Sequence, residues 1–130
     1  MSIKEDIVSE HFQVRYKGNV VILKPNEKAF THIQAGEFNR IWSRLRENKI
    51  RRFVLDYSTC EYISSEGLTC TASSWKWCHE EGNGYMVAIV PLDPKNEVRN
   101  LFEIIGLSRM IGSALQPTLP QALKYLKDFA

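Results

Sequence analysis

The sequence lacks any apolar run long enough for a transmembrane helix. Such a helix needs about 20 consecutive apolar residues, and polar or charged residues interrupt every apolar run of this 130-residue chain well before that length. The first ten residues are polar and mixed in charge, unlike a signal peptide. We therefore expect a cytoplasmic protein without membrane insertion.

Net charge of either sign is also nearly absent. The 17 basic and 15 acidic residues leave a formal charge of +2, whereas nucleic-acid binding depends on a clustered basic face. The densest basic stretch is interrupted by Glu47 and is interpreted as a solvated helix face, so we expect no nucleic-acid partner. Its members are Arg40, Arg44, Arg46, Lys49, Arg51 and Arg52.

Cysteines are few and irregularly spaced. Cys60, Cys70 and Cys78 form no zinc or CxxC motif. Reduced, partly buried thiols are the simplest interpretation, and we expect neither a metal site nor a disulfide.

Catalytic motifs are missing as well. The sequence contains no GxGxxG, no GxxxxGK[ST] and no GxSxG. His11, His32 and His79 are scattered, and His79 points about 100° away from Cys78 on a helix, so the two do not form a nucleophile–base pair. We predict that the chain is not an enzyme and uses no cofactor.

What the sequence does contain is an alternation of strand and helix patterns. An alternating segment from Phe12 to Tyr16, the turn Gly18-Asn19 and the apolar run from Val20 to Leu23 predict a β-hairpin. Thr31 with Gln34 forms a candidate capping box for a helix over residues 31–48. Buried-type strands follow at Phe53–Leu55 and at Tyr85–Val90.

Three further helices are predicted. The second begins at the serines 64–65, with its apolar stripe at Leu68, Ala72, Trp75 and His79. The third has Asp93-Pro94 as N-cap and first turn, and its stripe at Val98, Leu101, Phe102 and Ile105. Met110-Ile111 is read as a short strand. Thr118 with Gln121 caps a last helix through Leu123, Leu126 and Phe129.

Helices between strands imply crossovers and a partly parallel sheet, to which the hairpin adds an antiparallel part. We predict one α/β domain over residues 1–130, with a mixed sheet of four or five strands and about four helices. Trp77 lies two residues from Trp75, so it cannot share that side chain's face. A partner surface and packing under a loop both remain open for Trp77.

The segment from Phe53 to Leu68 is the most informative. A buried strand and a turn lead to Ser64-Ser65 where a helix begins. Either serine can serve as an N-cap. A hydroxyl at a helix start can also be phosphorylated, because unpaired N–H groups and the helix dipole favour the phosphate. Both readings stay open on the residues alone.

The same segment resembles the STAS family of the anti-sigma factor antagonist (anti-anti-sigma factor) type. Leu55-Asp56 and then Ile63-Ser64-Ser65-Glu66-Gly67-Leu68 are similar to the family's serine turn, and the resemblance covers about residues 10–127. Its further segments are Glu81-Gly82, the strand to Val90, Val98–Phe102, Ile105–Ile111 and the helix from Pro120 to Leu123.

The resemblance implies a bacterial binding protein that regulates transcription. Its partner would be an anti-sigma factor, often a serine kinase with a histidine-kinase-like fold, and a PP2C-type phosphatase would reverse the phosphorylation. By position the phosphoacceptor is Ser65, with Ser64, Glu66, Gly67 and Leu68 forming the helix start against the partner. Any ATP would belong to the kinase.

Three departures from the family pattern bear on function. Ser64 stands where many members have Asp, Glu66 replaces a small residue, and Lys24–Phe30 replaces the usual Gly-Glu-Leu-Asp. The alternative function is therefore a STAS scaffold or transport-complex accessory that binds partners without being phosphorylated.

Overall fold

The computed structural model describes residues 9–129, and the side chains of residues 9–128. Of the first ten residues, for which no signal peptide was expected, only residues 9 and 10 are described. The side chain of Phe129 also lies outside the described part of the chain. Seven strands are present: β1 Phe12–Lys17, β2 Val20–Pro25, β3 Ala29–Phe30, β4 Arg52–Asp56, β5 Tyr62–Ile63, β6 Tyr85–Ile89 and β7 Leu115–Gln116. The α-helices are α1 His32–Glu47, α2 Ser65–Trp75, α3 Glu97–Ile104, α4 Leu107–Ile111 and α5 Leu119–Phe129.

Five strands form the main sheet, in the order β1-β2-β4-β6-β7. The hairpin pair is antiparallel and the other three pairs are parallel, so the predicted mixed α/β sheet is confirmed. β4 is the middle strand, and Phe53, Val54 and Leu55 are fully buried. β3 and β5 form a separate two-stranded parallel sheet. The described residues contain one α-helix more than predicted.

The two faces of the main sheet are covered differently. Phe53 and Leu55 of β4 belong to a large core with α1, α2 and α3, whereas Val54 belongs to a smaller core with α5. Period-two alternation along β4 separates the two cores. Among residues 9–129, no helix combines the length and the apolar character needed to cross a bilayer.

Capping decides where the helices begin. The capping box of Thr31 and Gln34 is present at α1, and Thr118 accepts from the Gln121 N–H at 3.4 Å before α5. At α3 the prediction was wrong: Asn96 is the N-cap and accepts from Arg99 N at 2.8 Å. The Asp93 carboxylate instead accepts from Lys95 N, forming a turn before the helix.

The region after α3 also differs from the prediction. Met110 and Ile111 belong to α4, and the short strand is β7. Short apolar runs fit either a strand or a buried helical turn, so periodicity could not separate the two. Val98 and Phe102 of α3 are fully buried as predicted, but Leu101 is half-buried and Ile105 is exposed. The helix ends before Ile105 and turns at Gly106, which has a φ of 79°.

Truncating Phe102 to Ala should therefore lower the free energy of unfolding by about 3–5 kcal/mol, the usual range for a buried aromatic ring. The ring is fully buried and lies 6.3 Å from the ring of Tyr57. The matched change Ile105→Ala, on a side chain that is 53% exposed, should alter the free energy by no more than about 0.5 kcal/mol. Urea denaturation of both variants measures the contrast, and equal losses would contradict the packing of α3.

Candidate functional site

The small β3–β5 sheet sets two helix starts side by side. Ala29 pairs with Tyr62 and Phe30 pairs with Ile63. The residue that directly follows each strand is an N-cap: Thr31 for α1 and Ser64 for α2. Because the strands are parallel, both helices start at the same edge, with their positive N-terminal ends adjacent.

The two serines of the turn occupy different positions. Ser64 is the half-buried N-cap, and its hydroxyl accepts from the Gly67 N–H at 3.4 Å. Ser65 is the first residue of α2 and is exposed. Its hydroxyl donates only to the Glu66 carboxylate, at the long distance of 3.5 Å. Of the two hydroxyls, that of Ser65 is the one open to a second protein.

Glu66 brings a negative charge into the first turn of α2. Hydrogen bonds from its own backbone N–H and then from Ser64 lower the pKa of the Glu66 carboxyl, and the charge of His32 acts in the same direction. α1 has no acidic residue in its first turn. The carboxylate of Glu66 is thus the single first-turn acidic group facing these two helix starts.

Gly67 allows α2 to approach the β3–β5 sheet closely. A Cβ at this position would lie 2.7 Å from the backbone oxygen of Phe30 and 2.7 Å from Ile63 Cγ1. The Phe30 oxygen also accepts from the Ser64 N–H at 2.9 Å, so it cannot move freely. Leu68, which follows, is half-buried against the large core.

A buried chain of hydroxyls fixes the first turns of α2. Thr71 donates to the Gly67 carbonyl at 2.9 Å, and the Tyr57 hydroxyl lies 2.6 Å from Thr71 Oγ1. Because a hydroxyl has one proton, Tyr57 donates to Thr71. Burial raises the pKa of Tyr57, so the phenol keeps the proton that this bond needs.

The buried face of α2 differs from the predicted stripe. Leu68, Ala72 and Trp75 of the predicted stripe pack against the large core but are half-buried, and His79 is half-buried as well. The buried positions carry small residues, namely Gly67, Cys70, Thr71 and Ser74, followed by Cys78. These positions are buried because α2 lies close to the sheet, which requires small side chains there rather than large apolar ones. After Trp75 the chain continues as a π-helical turn, Lys76–Glu80, which ends the α-helical spacing.

A groove of about 300 Å³ runs between α1 and α2 beside Ser65. Exposed apolar side chains occur near both helix starts, at Ile33 and Tyr62. Sequence reasoning missed the β3–β5 pairing and therefore this groove. The available signal was the repeated pattern of an apolar residue followed by a capping hydroxyl, Phe30-Thr31 and Ile63-Ser64. The groove is lined by Ala35, Asn39, Ser65, Glu66, Thr69 and Cys70.

The segment that departs from the family pattern is held by His11. The His11 ring is hydrogen-bonded to Glu27, and the backbone N–H of His11 donates to the Glu37 carboxylate at 2.9 Å. The Glu10 carboxylate lies 4.0 Å from Nε2 of the same ring. Asn26 N donates to the His11 carbonyl at 2.9 Å. The hydrogen bond to Glu27 raises the pKa of His11, burial acts against it, and the charges of Glu27, Glu37 and Glu10 add to the increase.

The other candidate groups do not converge on one another. His79 is tied to the Met86 backbone, with Met86 N donating to Nε2 at 3.0 Å. All three cysteines are free and buried, and burial raises the pKa of Cys78 to about 12. Within residues 9–129, no group of three or more His, Cys, Asp or Glu is arranged to hold a metal ion.

Comparison with solved structures identifies the fold. A proposed anti-sigma factor antagonist from Thermotoga maritima superimposes with a TM-score of 0.74 at 20% identity, over 91% of this chain and 96% of its own. An anti-sigma factor antagonist from Mycobacterium paratuberculosis gives 0.71 at 22% identity, over 90% and 93%. The phosphorylated form of the Bacillus cell fate determinant SpoIIAA gives 0.62 at 15% identity, over 88% and 97%.

No family model matches the chain, and no curated protein sequence matches it. At these identities the similarity establishes the fold: the chain has the STAS fold of anti-sigma factor antagonists. The fold implied by the serine turn is therefore confirmed.

Gly67→Ala should destabilise the protein by about 1–3 kcal/mol, the usual cost of overpacking, because the new Cβ meets the Phe30 oxygen and Ile63. Gly36→Ala is the matched control, since Gly36 lies in α1 with nothing within 4 Å of its added Cβ. There the greater helix propensity of Ala should stabilise the protein by up to about 1 kcal/mol. Thermal unfolding measures both, and a neutral Gly67→Ala would contradict the close approach of α2.

Stability should also fall as the pH rises through the pKa of His11. The raised pKa means that protonated His11 stabilises the fold below about pH 6.5, and that this contribution is lost at higher pH. His11→Gln should abolish the decline that begins above the ordinary histidine pKa of about 6.5, whereas the exposed control His32→Gln should retain it. Urea midpoints at several pH values test this, and parallel curves for wild type and His11→Gln would refute it.

Proposed function

We propose that the protein is a cytoplasmic anti-sigma factor antagonist whose affinity for an anti-sigma factor is set by phosphorylation of Ser65. The observation that carries the proposal is the exposed Ser65 hydroxyl at the first position of α2, in a fold shared with anti-sigma factor antagonists. One of these was solved in a phosphorylated form.

The position of Ser65 suits a switch of affinity rather than of fold. Phosphorylation adds about −1.5 to −2 charges, and the adjacent N-termini of α1 and α2 favour negative charge by about 0.3–1 kcal/mol. The Gly67 contact and the hydroxyl chain from Tyr57 hold the backbone below. The modified domain therefore stays folded, while a partner packed on the turn meets a new charge.

The proposed partner surface surrounds Ser65. It comprises the groove between α1 and α2 and the exposed side chains of Ile33 and Tyr62. Apolar groups beside a modifiable hydroxyl are suited to a protein interface, because the partner desolvates the turn when it binds. A partner that loses about 3 kcal/mol of binding free energy through the phosphate binds more than a hundredfold more weakly.

Glu66 supports a second candidate, a STAS scaffold or transport-complex accessory that is not phosphorylated. Its carboxylate already accepts from its own backbone N–H, from Ser64 and from Ser65. Phosphorylation removes the Ser65 donor, and the phosphate then has to compete with this carboxylate for the Glu66 N–H and the Ser64 hydroxyl and is repelled by its charge. In this case Glu66 supplies a permanent negative charge at the turn.

Both candidates are binding proteins rather than enzymes. In the switch, the anti-sigma factor acts as the serine kinase and binds the ATP, and a PP2C-type phosphatase removes the phosphate. The chain itself contributes the hydroxyl, the helix start and the surface around them, and needs no cofactor.

The test compares Ser65→Asp and Ser65→Ala with wild type, using the partner recovered by pull-down from native cells and intact-mass measurement of the recovered chain. The switch requires Ser65→Asp to bind about a hundredfold more weakly or worse, with a melting temperature at or slightly above that of wild type. Ser65→Ala should bind normally and gain no phosphate.

Ser73→Asp is the matched control, because Ser73 is exposed on α2 two turns from the N-terminus and receives the same charge outside the turn. Glu66→Ser should strengthen partner binding if the carboxylate mimics a phosphate. Equal binding by wild type and Ser65→Asp, with no phosphate found on Ser65, would favour the scaffold instead.

A further inference from the structure

Trp77 lies just beyond the C-terminal end of α2, in the π-helical turn that continues the helix away from Ser65. The π-helical turn Lys76–Glu80 directs its indole toward the start of β4. The ring meets Trp42 edge-on, with centroids 5.9 Å apart, and Phe53 edge-on at 6.4 Å. Trp77 is nevertheless only half-buried, so part of the indole remains open to solvent.

Two guanidinium groups lie against this indole. The Cζ atoms of Arg46 and Arg51 are 5.2 Å and 5.6 Å from the Trp77 ring centroid, within the range of cation–π attraction. Arg46 comes from the last turn of α1, and Arg51 directly precedes β4. The two arginines and the tryptophan, called the Arg–Trp surface below, come from three different elements.

Neither guanidinium has a carboxylate partner among residues 9–129. Three other cations of the described chain are paired with carboxylates, in Lys28–Glu61, Arg99–Glu103 and Lys124–Asp128. Arg51 donates from Nη1 to the Ile50 carbonyl at 2.9 Å and, at the long distance of 3.5 Å, to the Arg46 carbonyl. Its other nitrogens remain available as donors. Nε of Arg46 is buried without an acceptor in the described chain.

The α1 helix dipole accounts for part of this arrangement. Cations are favoured at a helix C-terminus, so both arginines are well placed there. The dipole provides no hydrogen-bond acceptor for the planar N–H groups of the two guanidiniums, however. A groove of about 300 Å³ opens next to Arg51 and is bordered by the exposed ring of Tyr85.

We propose that the Arg–Trp surface binds an acidic segment of a partner protein. Guanidinium groups take carboxylates in bidentate geometry, and arginine, tryptophan and tyrosine are the residues enriched in interface hot spots. Ser65 and Trp77 are twelve residues apart on one helical segment, about 18 Å along its axis. A partner here would leave the Ser65 turn accessible, so the surface can act independently of the proposed phosphorylation.

The test titrates the full ¹⁵N-labelled chain with a hexaglutamate peptide and follows the indole N–H resonances of its tryptophans. The Trp77 indole resonance should shift in a saturable way, and hexaglutamine should have no effect. Arg46→Gln and Arg51→Gln should each weaken hexaglutamate binding by about tenfold or more, as expected for a hydrogen bond between charged groups.

Arg15→Gln and Lys17→Gln are matched controls, because they remove the same charge from exposed positions on β1. Each should change the affinity by less than about twofold. Arg46→Gln breaks no hydrogen bond in the described chain, so it remains informative if Arg51→Gln lowers stability.

Three outcomes would overturn the proposal. Equal weakening by the β1 controls would mean unspecific attraction of anions. Absence of a saturable Trp77 shift would mean that the surface binds no acidic segment. A response to phosphatidylglycerol vesicles without one to hexaglutamate would assign the surface to a membrane instead. None of these outcomes depends on Ser65, so the proposed switch is tested separately.

Discussion

The close approach of α2 to the β3–β5 sheet governs the geometry of the whole serine turn. Gly67 leaves no room for a Cβ against the Phe30 oxygen, and the same oxygen accepts from the Ser64 N–H. One carbonyl thus fixes both the distance of the helix from the small sheet and the position of its N-cap. Since β3 leads directly into α1, this contact also fixes the start of the first helix.

The N-termini of α1 and α2 lie at the same edge, and the positive ends of their two dipoles explain why this turn tolerates negative charge. Glu66 is stabilised as a carboxylate by its own N–H and by Ser64, and Ser65 projects from the same turn into solvent. The turn therefore offers a limited number of donors to one or two negative groups. In the proposed switch, Glu66 and a phosphate would compete locally for these donors, without a change in the packing of α2 on the small sheet.

Sequence patterns correctly predicted the structural elements that depend on interactions between neighbouring residues. They failed for the features that depend on tertiary packing. The capping box at Thr31 and the buried strand around Val54 follow from short-range chemistry, and both are confirmed. The buried face of α2 was predicted only in part: Leu68 and Trp75 pack against the core, but the fully buried positions carry small residues such as Thr71, which allow close contact. The pairing of β3 with β5 involves two residues on each strand, too few to produce a periodic signal. The choice of Ser65 as phosphoacceptor came from a family resemblance and stays a prediction, since the residues alone allowed an ordinary cap.

The two proposed surfaces lie at opposite ends of one helical segment that is anchored at both ends. The first turns of α2 are held by the buried chain from Tyr57 through Thr71 to the Gly67 carbonyl. The π-helical turn that follows α2 is held by the packing of Trp77 on Phe53. Because both ends are fixed to the β4 strand or its flanks, charge added at Ser65 has no hinge through which to move Trp77. Binding events at the two ends should therefore add in free energy, as expected for distant sites on a rigid element.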